Sequence, residues 1–334
     1  MTMMRFAILG AGHGAAVYLP ALESLGHSCV MLAARTPRQG LSVAQGTDWR
    51  AAIKRADVDA VVIALPPLLQ REAVLAAAEA GKPFLCEKPA GMTVEDVSEM
   101  LATAEKFGQA HAVGFQFRYE PAFIELKRII DSGAIGAIEL IDVDWCIGGP
   151  QSRARPWSWR NDVAQGGGVM LNFCTHTLDY LRWCCGNITL KGRAQSVLVP
   201  QRKDSEGIER ETTAPDACDL LLGFGLNGIA SVRVTNVALQ PIGHRVIVRG
   251  ARGTIELWHR PPFRAADLMF SLYDEGGQLN KLSGPDIGMT AAGADSRVAP
   301  TTSLVADFIQ AVEGLCVPSL PTLSDALAVH RLLA

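Results

Sequence analysis

The stretch Phe6-Ala-Ile-Leu9-Gly10-Ala-Gly12-His13-Gly14-Ala15 decides how the first third of this chain folds. Four apolar residues in a row read as a short buried strand, and the glycines that follow break it. A helical pattern then runs over 15–25. A strand, a glycine-rich turn and a helix in that order bring the backbone close to a pyrophosphate, which rests on the helix N-terminus. Gly10 and Gly12 permit the tight turn and the close approach, and Ala15 fills the third small position. Gly10, Gly12, His13, Gly14 and Ala15 are therefore candidate dinucleotide contacts.

Downstream the same alternation continues. Strands are expected over Ser28–Ala33, 58–65, 83–86 and 110–114, with helices over 49–55, 68–80 and 94–107. Continuous apolar strands separated by helices imply a parallel sheet covered on both faces. Only about fifteen residues separate the second strand from Trp49, with Pro37, Gly40 and Gly46 among them, so that crossover is expected to be truncated. Past the second strand the chain reads Ala33-Ala34-Arg35-Thr36. An NAD site places Asp or Glu there for the ribose 2′-hydroxyl. Arg35 with the Thr36 hydroxyl instead suits a 2′-phosphate, favouring NADP over NAD. Leu65 and Pro66 close the 58–65 strand and join the candidate cofactor contacts.

From Tyr119 the pattern changes. A helix over 121–132 leads to a strand over 137–146, a loop rich in Trp and Arg, and a helix over 168–185. Alternating segments follow at 190–199, Ala217–Phe224, Gly228–Ala238, 245–248 and 254–258, with Leu226-Asn227-Gly228 as a hairpin signal. Hairpin-linked strands imply an antiparallel sheet. The polar segment 201–215 reads as a disordered or mobile flap. Helices return over 302–312 and Leu323–Leu333, the latter with Thr322 and Asp325 as a capping pair.

The 334 residues suit two domains, 1–118 and 119–321, with the C-terminal helix (322–334) packing back near the first. With 31 basic and 34 acidic residues the charge gives no reason to expect nucleic acid or anionic membrane as a partner. No membrane-length apolar run and no signal peptide are read, so a cytoplasmic protein is expected. The eight cysteines contain no Cys-x-x-Cys pair and read as buried thiols in a reducing compartment, with no metal site.

Four further segments now combine with the glycine turn: Val58-Asp-Ala-Val-Val-Ile-Ala-Leu-Pro66, Ala80-Gly-Lys-Pro-Phe-Leu-Cys-Glu87-Lys88-Pro89, Phe117-Arg-Tyr119, and Gly166-Gly-Gly-Val-Met-Leu-Asn172-Phe-Cys-Thr-His176-Thr-Leu-Asp179. In this order they resemble the Gfo/Idh/MocA family (glucose–fructose oxidoreductase, inositol dehydrogenase, rhizopine catabolism). The resemblance implies an α/β Rossmann domain plus an α+β domain with a large open-faced, mostly antiparallel sheet. It implies hydride transfer between NAD(P) and a carbinol or ketone carbon of a sugar, cyclic polyol or nucleotide sugar. It also implies a homodimer or homotetramer built through the C-terminal sheet.

The same resemblance places Lys88 at the nicotinamide and substrate, often before a cis proline, where a cation stabilises charge developing on the reacting oxygen. Glu87 supports that geometry. Histidine as a residue type titrates near neutral pH, which makes His176 the candidate acid/base; Asn172 lies four residues before it on the same helix face as a positioning group. Family dehydrogenases usually carry Asp at 172, and an amide cannot relay a proton. Asp179 is either an orienting carboxylate or a local structural group. Cys174 stands where glycine is common, expected to alter packing. Gln70 stands where His is common, expected to remove a polar group near the cofactor. Arg153, Arg155, Trp157, Trp159 and Arg160 precede the glycines; such a mixture stacks on a sugar face and holds a carboxylate or phosphate, and Trp159 and Arg160 are the substrate candidates. Two other readings stay open: non-redox use of tightly bound NAD(P) in glycosidase or elimination chemistry, and a non-catalytic dinucleotide-sensing regulator.

Overall fold

The computed structural model describes residues 3–284, 286, 288 and 295–334, and these divide into two compact units. The first gathers the described residues up to Tyr119 with those from Asp295 to Leu332. Its strands are β1 (Arg5–Leu9), β2 (Ser28–Ala33), β3 (Gln45–Gly46), β4 (Ala60–Ile63), β5 (Phe84–Cys86) and β6 (His111–Val113). They form one sheet in the order β3-β2-β1-β4-β5-β6, and every pair is parallel. The order reverses beside β1, the switch point at which open α/β sheets bind ligands.

The helices of this stretch are α1 (Leu19–Ser24), continuous with a π-helical turn at Gly14–Tyr18, then α2 (Trp49–Ile53), α3 (Pro67–Glu79) and α4 (Val94–Lys106). The crossover after β2 has no helix and only the two-residue β3, as its length allowed. Local chemistry fixes the helix starts. Asp48 accepts from the Arg50 and Ala51 amides, and Thr93 accepts from Asp96.

The second unit begins at Glu120. After α5 (Pro121–Asp131) come β7 (Ile138–Gly148), α6 (Pro150–Arg153), α7 (Thr175–Cys185) and β8 (Ile188–Ser196). Then follow β9 (Gln201–Lys203), β10 (Glu209–Glu211), β11 (Ala217–Phe224), β12 (Gly228–Ala238), β13 (Gly243–Gly250), β14 (Gly253–His259), β15 (Leu268–Asp274) and β16 (Leu279–Ser283). Eight of them form a sheet ordered β16-β15-β14-β13-β7-β12-β11-β8, antiparallel except for the β7–β12 pair. That pair is parallel because β7 and β12 are joined by a long crossover rather than a hairpin. Burial alternates along β11 and β12, so one face is packed. The other face carries Asp142, Asp219, Arg233 and Arg249 with the exposed Leu140, Leu221 and Ile229.

The expected flap at 201–215 is corrected. It contains the β9–β10 hairpin, tightened by Asp204, whose carboxylate accepts from the Glu206 and Ile208 amides and from Arg210. Arg202 is buried and its Nη1 donates to the carbonyls of Ser152, Arg153 and Arg155. A charge satisfied by three distant carbonyls anchors a segment whose polar composition suggested mobility.

The chain returns to the first unit with α8 (Val298–Val312) and α9 (Leu323–Leu333). Leu304, Val305 and Phe308 of α8 enter the core formed by Phe6, Ile8, Leu32 and Val62. Thr322 and Asp325 make the expected capping box. All eight cysteines are thiols, and Cys174 rests on Cys218 at 3.2 Å. Among the described residues no helix is long and apolar enough to cross a membrane.

Candidate functional site

Sterics decide the glycine turn. Gly10 has φ 105°, and a Cβ there would meet the Ala64 carbonyl oxygen at 2.3 Å. At Gly14 a Cβ would meet Ile8 Cγ2 at 2.6 Å, so the turn is wedged between β1 and β4. A Cβ on Gly12 would meet nothing within 4 Å, leaving backbone open to a ligand. The helix that starts at Gly14 has its first N–H groups outside the intrahelical ladder, so this turn fits a dinucleotide pyrophosphate.

Beside the turn stands a buried carboxylate. Tyr18 Oη donates to Glu87 Oε1 at 2.5 Å, and His13 Nε2 lies 3.4 Å from the same oxygen, an ion-pair distance rather than an aligned hydrogen bond. Gly114 makes room, since a Cβ there would come within 2.5 Å of Glu87 Oε1. Burial pushes the Glu87 proton affinity up, but His13, Lys88 and the Tyr18 hydroxyl together hold it below the usual carboxylate value.

The Glu87-Lys88-Pro89-Ala90-Gly91 segment leaves the carboxyl end of β5 through a cis Lys88–Pro89 peptide, with Ala90 at φ 63° and Gly91 at φ 92°. Four bonds fix it. The Glu87 amide donates to Ile63 (2.8 Å) and the Ala90 amide to Glu87 (3.2 Å); Gly91 donates to Gln70 Oε1 (2.8 Å), and His330 Nε2 donates to the Pro89 carbonyl (2.8 Å). Gln70 also donates to the Leu65 carbonyl at 3.1 Å, tying the end of β4 at Leu65 and Pro66 to the lysine turn. The expectation that Gln70 removes a polar group is thereby corrected. Its amide nitrogen donates one bond and its carbonyl oxygen accepts another. Arg35 and Thr36 are exposed just beyond β2, whose Ala33 carbonyl accepts from Gly10 at 2.7 Å.

In the second unit the glycine run admits no side chain at Gly167, where a Cβ would lie 2.5 Å from the Arg160 carbonyl oxygen. The run feeds a π-helical turn, Met170–Cys174, continuous with α7. Asn172 Nδ2 donates to the Gly168 (2.8 Å) and Gly166 (3.3 Å) carbonyls. A carboxylate at that position would face two carbonyls with no proton to give, which accounts for the amide. His176 follows on the same helix face and is 5% exposed, its ring centroid 6.2 Å from Trp145. Asp179 is buried on the next turn.

Trp145 belongs to an aromatic group the sequence did not reveal. Phe173 meets it edge-on at 5.0 Å, and His244, its cross-strand partner on β13, stacks on it at 4.4 Å. Tyr180 Oη lies 3.2 Å from His244 Nε2. Burial, with a small contribution from His259, lowers His244 to about 3, so the ring is neutral in the folded protein.

The sign of the consequence is fixed. An unfolded histidine takes a proton near pH 6.5 and folded His244 refuses it, so its stabilisation is complete above that value and is lost as pH falls toward 3. Burial likewise lowers His27, His111, His259 and His330. From His244 alone the expected loss at pH 5 is roughly 2 kcal/mol. Thermal unfolding is expected to come several degrees lower at pH 5 than at pH 7.5, with a shallower dependence in His244→Gln. A midpoint that does not move between these pH values would refute this.

Thus the structure brings Gly10, Gly12, His13, Gly14, Ala15, Glu87 and Lys88 to one edge of the parallel sheet, with Leu65 and Pro66 beside them and Arg35 and Thr36 on the neighbouring strand end. It places Asn172 and His176 on one helix, with the Arg160 backbone against the glycines before them. Tyr18 and His330 are further supports that become visible only once the turn they hold is folded, and Gln70, noted in the sequence, takes a supporting role there.

Residues 4–115 match the model of the oxidoreductase family with NAD-binding Rossmann fold, and residues 123–256 match the GFO/IDH/MocA C-terminal domain. An oxidoreductase of Synechocystis sp. is 27% identical over 328 residues, which is 94% of this chain and 88% of the relative. Levoglucosan dehydrogenase of Pseudarthrobacter phenanthrenivorans is 28% identical over 234 residues, 66% of this chain and 60% of the relative. A solved levoglucosan dehydrogenase, in complex with NADH and levoglucosan, shares the fold with TM-score 0.85 at 23% identity, over 99% of this chain and 95% of that one.

Proposed function

This chain belongs to the Gfo/Idh/MocA family of oxidoreductases, and from that premise we propose that it moves a hydride between NAD(P) and a secondary carbinol or ketone carbon of a sugar or cyclic polyol. The observation that carries this reading is the Lys88 turn, held by Gln70 and His330 at the carboxyl edge of the parallel sheet. The similarity to levoglucosan dehydrogenase supports a sugar substrate.

The nicotinamide ring supplies the hydride acceptor or donor when bound. Lys88 hydrogen-bonds the reacting oxygen and stabilises negative charge developing on it. His176 takes the carbinol proton on oxidation and returns it on reduction. Asn172, whose amide nitrogen donates to the Gly166 and Gly168 carbonyls, is the positioning group for a substrate hydroxyl. The test is fluorescence titration with NADPH and NADH, then turnover on a panel of sugars, polyols and keto-sugars. If neither nucleotide binds in the micromolar range, the reading fails.

Arg35 supports NADP as the preferred cofactor, although the matching family model is described as NAD-binding. A charge-assisted bond to a 2′-phosphate contributes about 1.5–3 kcal/mol. Arg35→Ala is therefore expected to weaken NADPH about 10- to 150-fold and NADH less than about threefold. Equal losses for both nucleotides, or tighter binding of NADH by the unmodified protein, would remove this preference. The charged, partly apolar face of the large sheet supports a homodimer or homotetramer joined there, and the free thiols support a cytoplasmic location.

A further inference from the structure

We propose that the loop carrying Arg153, Arg155 and Arg160, braced by the buried Arg202, is a subsite for an anionic group of the substrate, a carboxylate or a phosphate. This deepens the dehydrogenase reading and rests on it. Arg202 is 7% exposed and threads the loop from behind, its Nη1 donating to Ser152 (2.9 Å), Arg153 (3.2 Å) and Arg155 (3.2 Å). Its Nε is also buried and has no acceptor in the structure. Trp157 fastens the loop to the hairpin through its amide to Lys203 (2.7 Å) and its indole N–H to Glu211 (2.9 Å). The Arg160 carbonyl accepts from Gly168 at 3.0 Å, so the loop ends against the glycines whose carbonyls hold Asn172. The Arg160 guanidinium lies over the Trp159 ring at 4.6 Å.

None of these four arginines forms an ion pair among the described residues. The nearby carboxylates are engaged elsewhere. Asp162 accepts from Ala164, Gln165 and Thr213, and Asp216 accepts from the Leu198 and Val199 amides while lending Arg202 some compensation. Partial burial and the charge of Arg155 both lower the proton affinity of Arg160. Arg153, Arg155 and Arg160 are exposed in front of the buried Arg202, so guanidinium groups without a protein counter-charge stand open to an anion arriving from solvent. A flat, forked donor set backed by an indole suits a sugar that carries such an anion.

The test is isothermal titration of the full chain, saturated with NADPH, using D-glucose, D-gluconate, D-glucuronate and glucose 6-phosphate. Arg160→Gln, Arg160→Lys and the unmodified protein are compared, and NADPH affinity reports on folding. At least one anionic sugar is expected to bind about 10-fold or more tighter than D-glucose, and to lose about 10- to 100-fold in Arg160→Gln. Arg160→Lys, which keeps the charge without the fork, is expected to fall between. Binding of the two acids but not the ester identifies a carboxylate, and the converse a phosphate. Equal binding of neutral and anionic sugars, no binding of any anion, or an Arg160→Gln loss confined to NADPH overturns the proposal. With NADPH binding and turnover of a neutral sugar intact, only the subsite falls; with no nucleotide binding, the dehydrogenase reading falls first.

Discussion

Lys88→Met is expected to lower kcat on an identified substrate by about 10²- to 10³-fold, the scale of removing one preorganised donor from a developing oxyanion, while NADPH affinity changes by no more than a few-fold. The two effects are expected to separate because the turn has anchors besides the lysine side chain. The backbone from Glu87 to Gly91 is fixed by Ile63, Gln70 and His330, and Glu87 is fixed by Tyr18 and His13. Removing the ammonium group leaves these anchors available, and the NADPH affinity reports whether the turn is kept. Gln70→Leu is the complementary variant: Lys88 stays, but the bonds to Gly91 and Leu65 are lost. Its kcat is expected to drop about tenfold, from misplacement of the lysine. Single-turnover hydride transfer, followed by NADPH absorbance, measures both. A Lys88→Met enzyme with an unchanged hydride-transfer rate would end the oxyanion assignment.

The main strands of the first unit were legible because they are short apolar runs bounded by glycine, proline or a helix, fully buried in Ala60–Ile63 and Phe84–Cys86. The hairpin at Leu226-Asn227-Gly228 was legible for the same local reason, with Phe224 pairing Gly228. What escaped depends on distant partners. β15 hides its period because Phe270 and Ser271 are adjacent and both buried. The 201–215 segment looked mobile because nothing near Arg202 in sequence announces the carbonyls of residues 152–155 that receive it. His244 has no motif of its own and gains meaning only through its register with Trp145, which pairing across β7 and β13 creates. Gln70 was misjudged because a substitution compared with a pattern shows what is absent, not which bonds the replacement makes.

His176 sits on the more consequential side of that division. Its motif identified the residue, and the fold supplies the surroundings in which a proton role is coherent: buried on α7, one turn after Asn172 and beside the Trp145 ring. Truncating a general acid/base costs about 10²- to 10⁴-fold, so His176→Ala is expected to lose kcat over that range, with substrate KM changing far less. The pH profile carries the distinction from a merely structural histidine. In the oxidation direction a base must be unprotonated, so activity in the unmodified enzyme is expected to rise with pH as the base loses its proton, and that limb is expected to vanish in His176→Ala. Since Asn172 cannot relay a proton, no neighbouring carboxylate at that position inherits the role. The residual rate should then be limited by exchange with water and should increase toward high pH, where hydroxide substitutes for the missing base. An alanine variant that keeps both its rate and its pH limb would transfer the proton role to another group while leaving the family assignment and the glycine turn untouched.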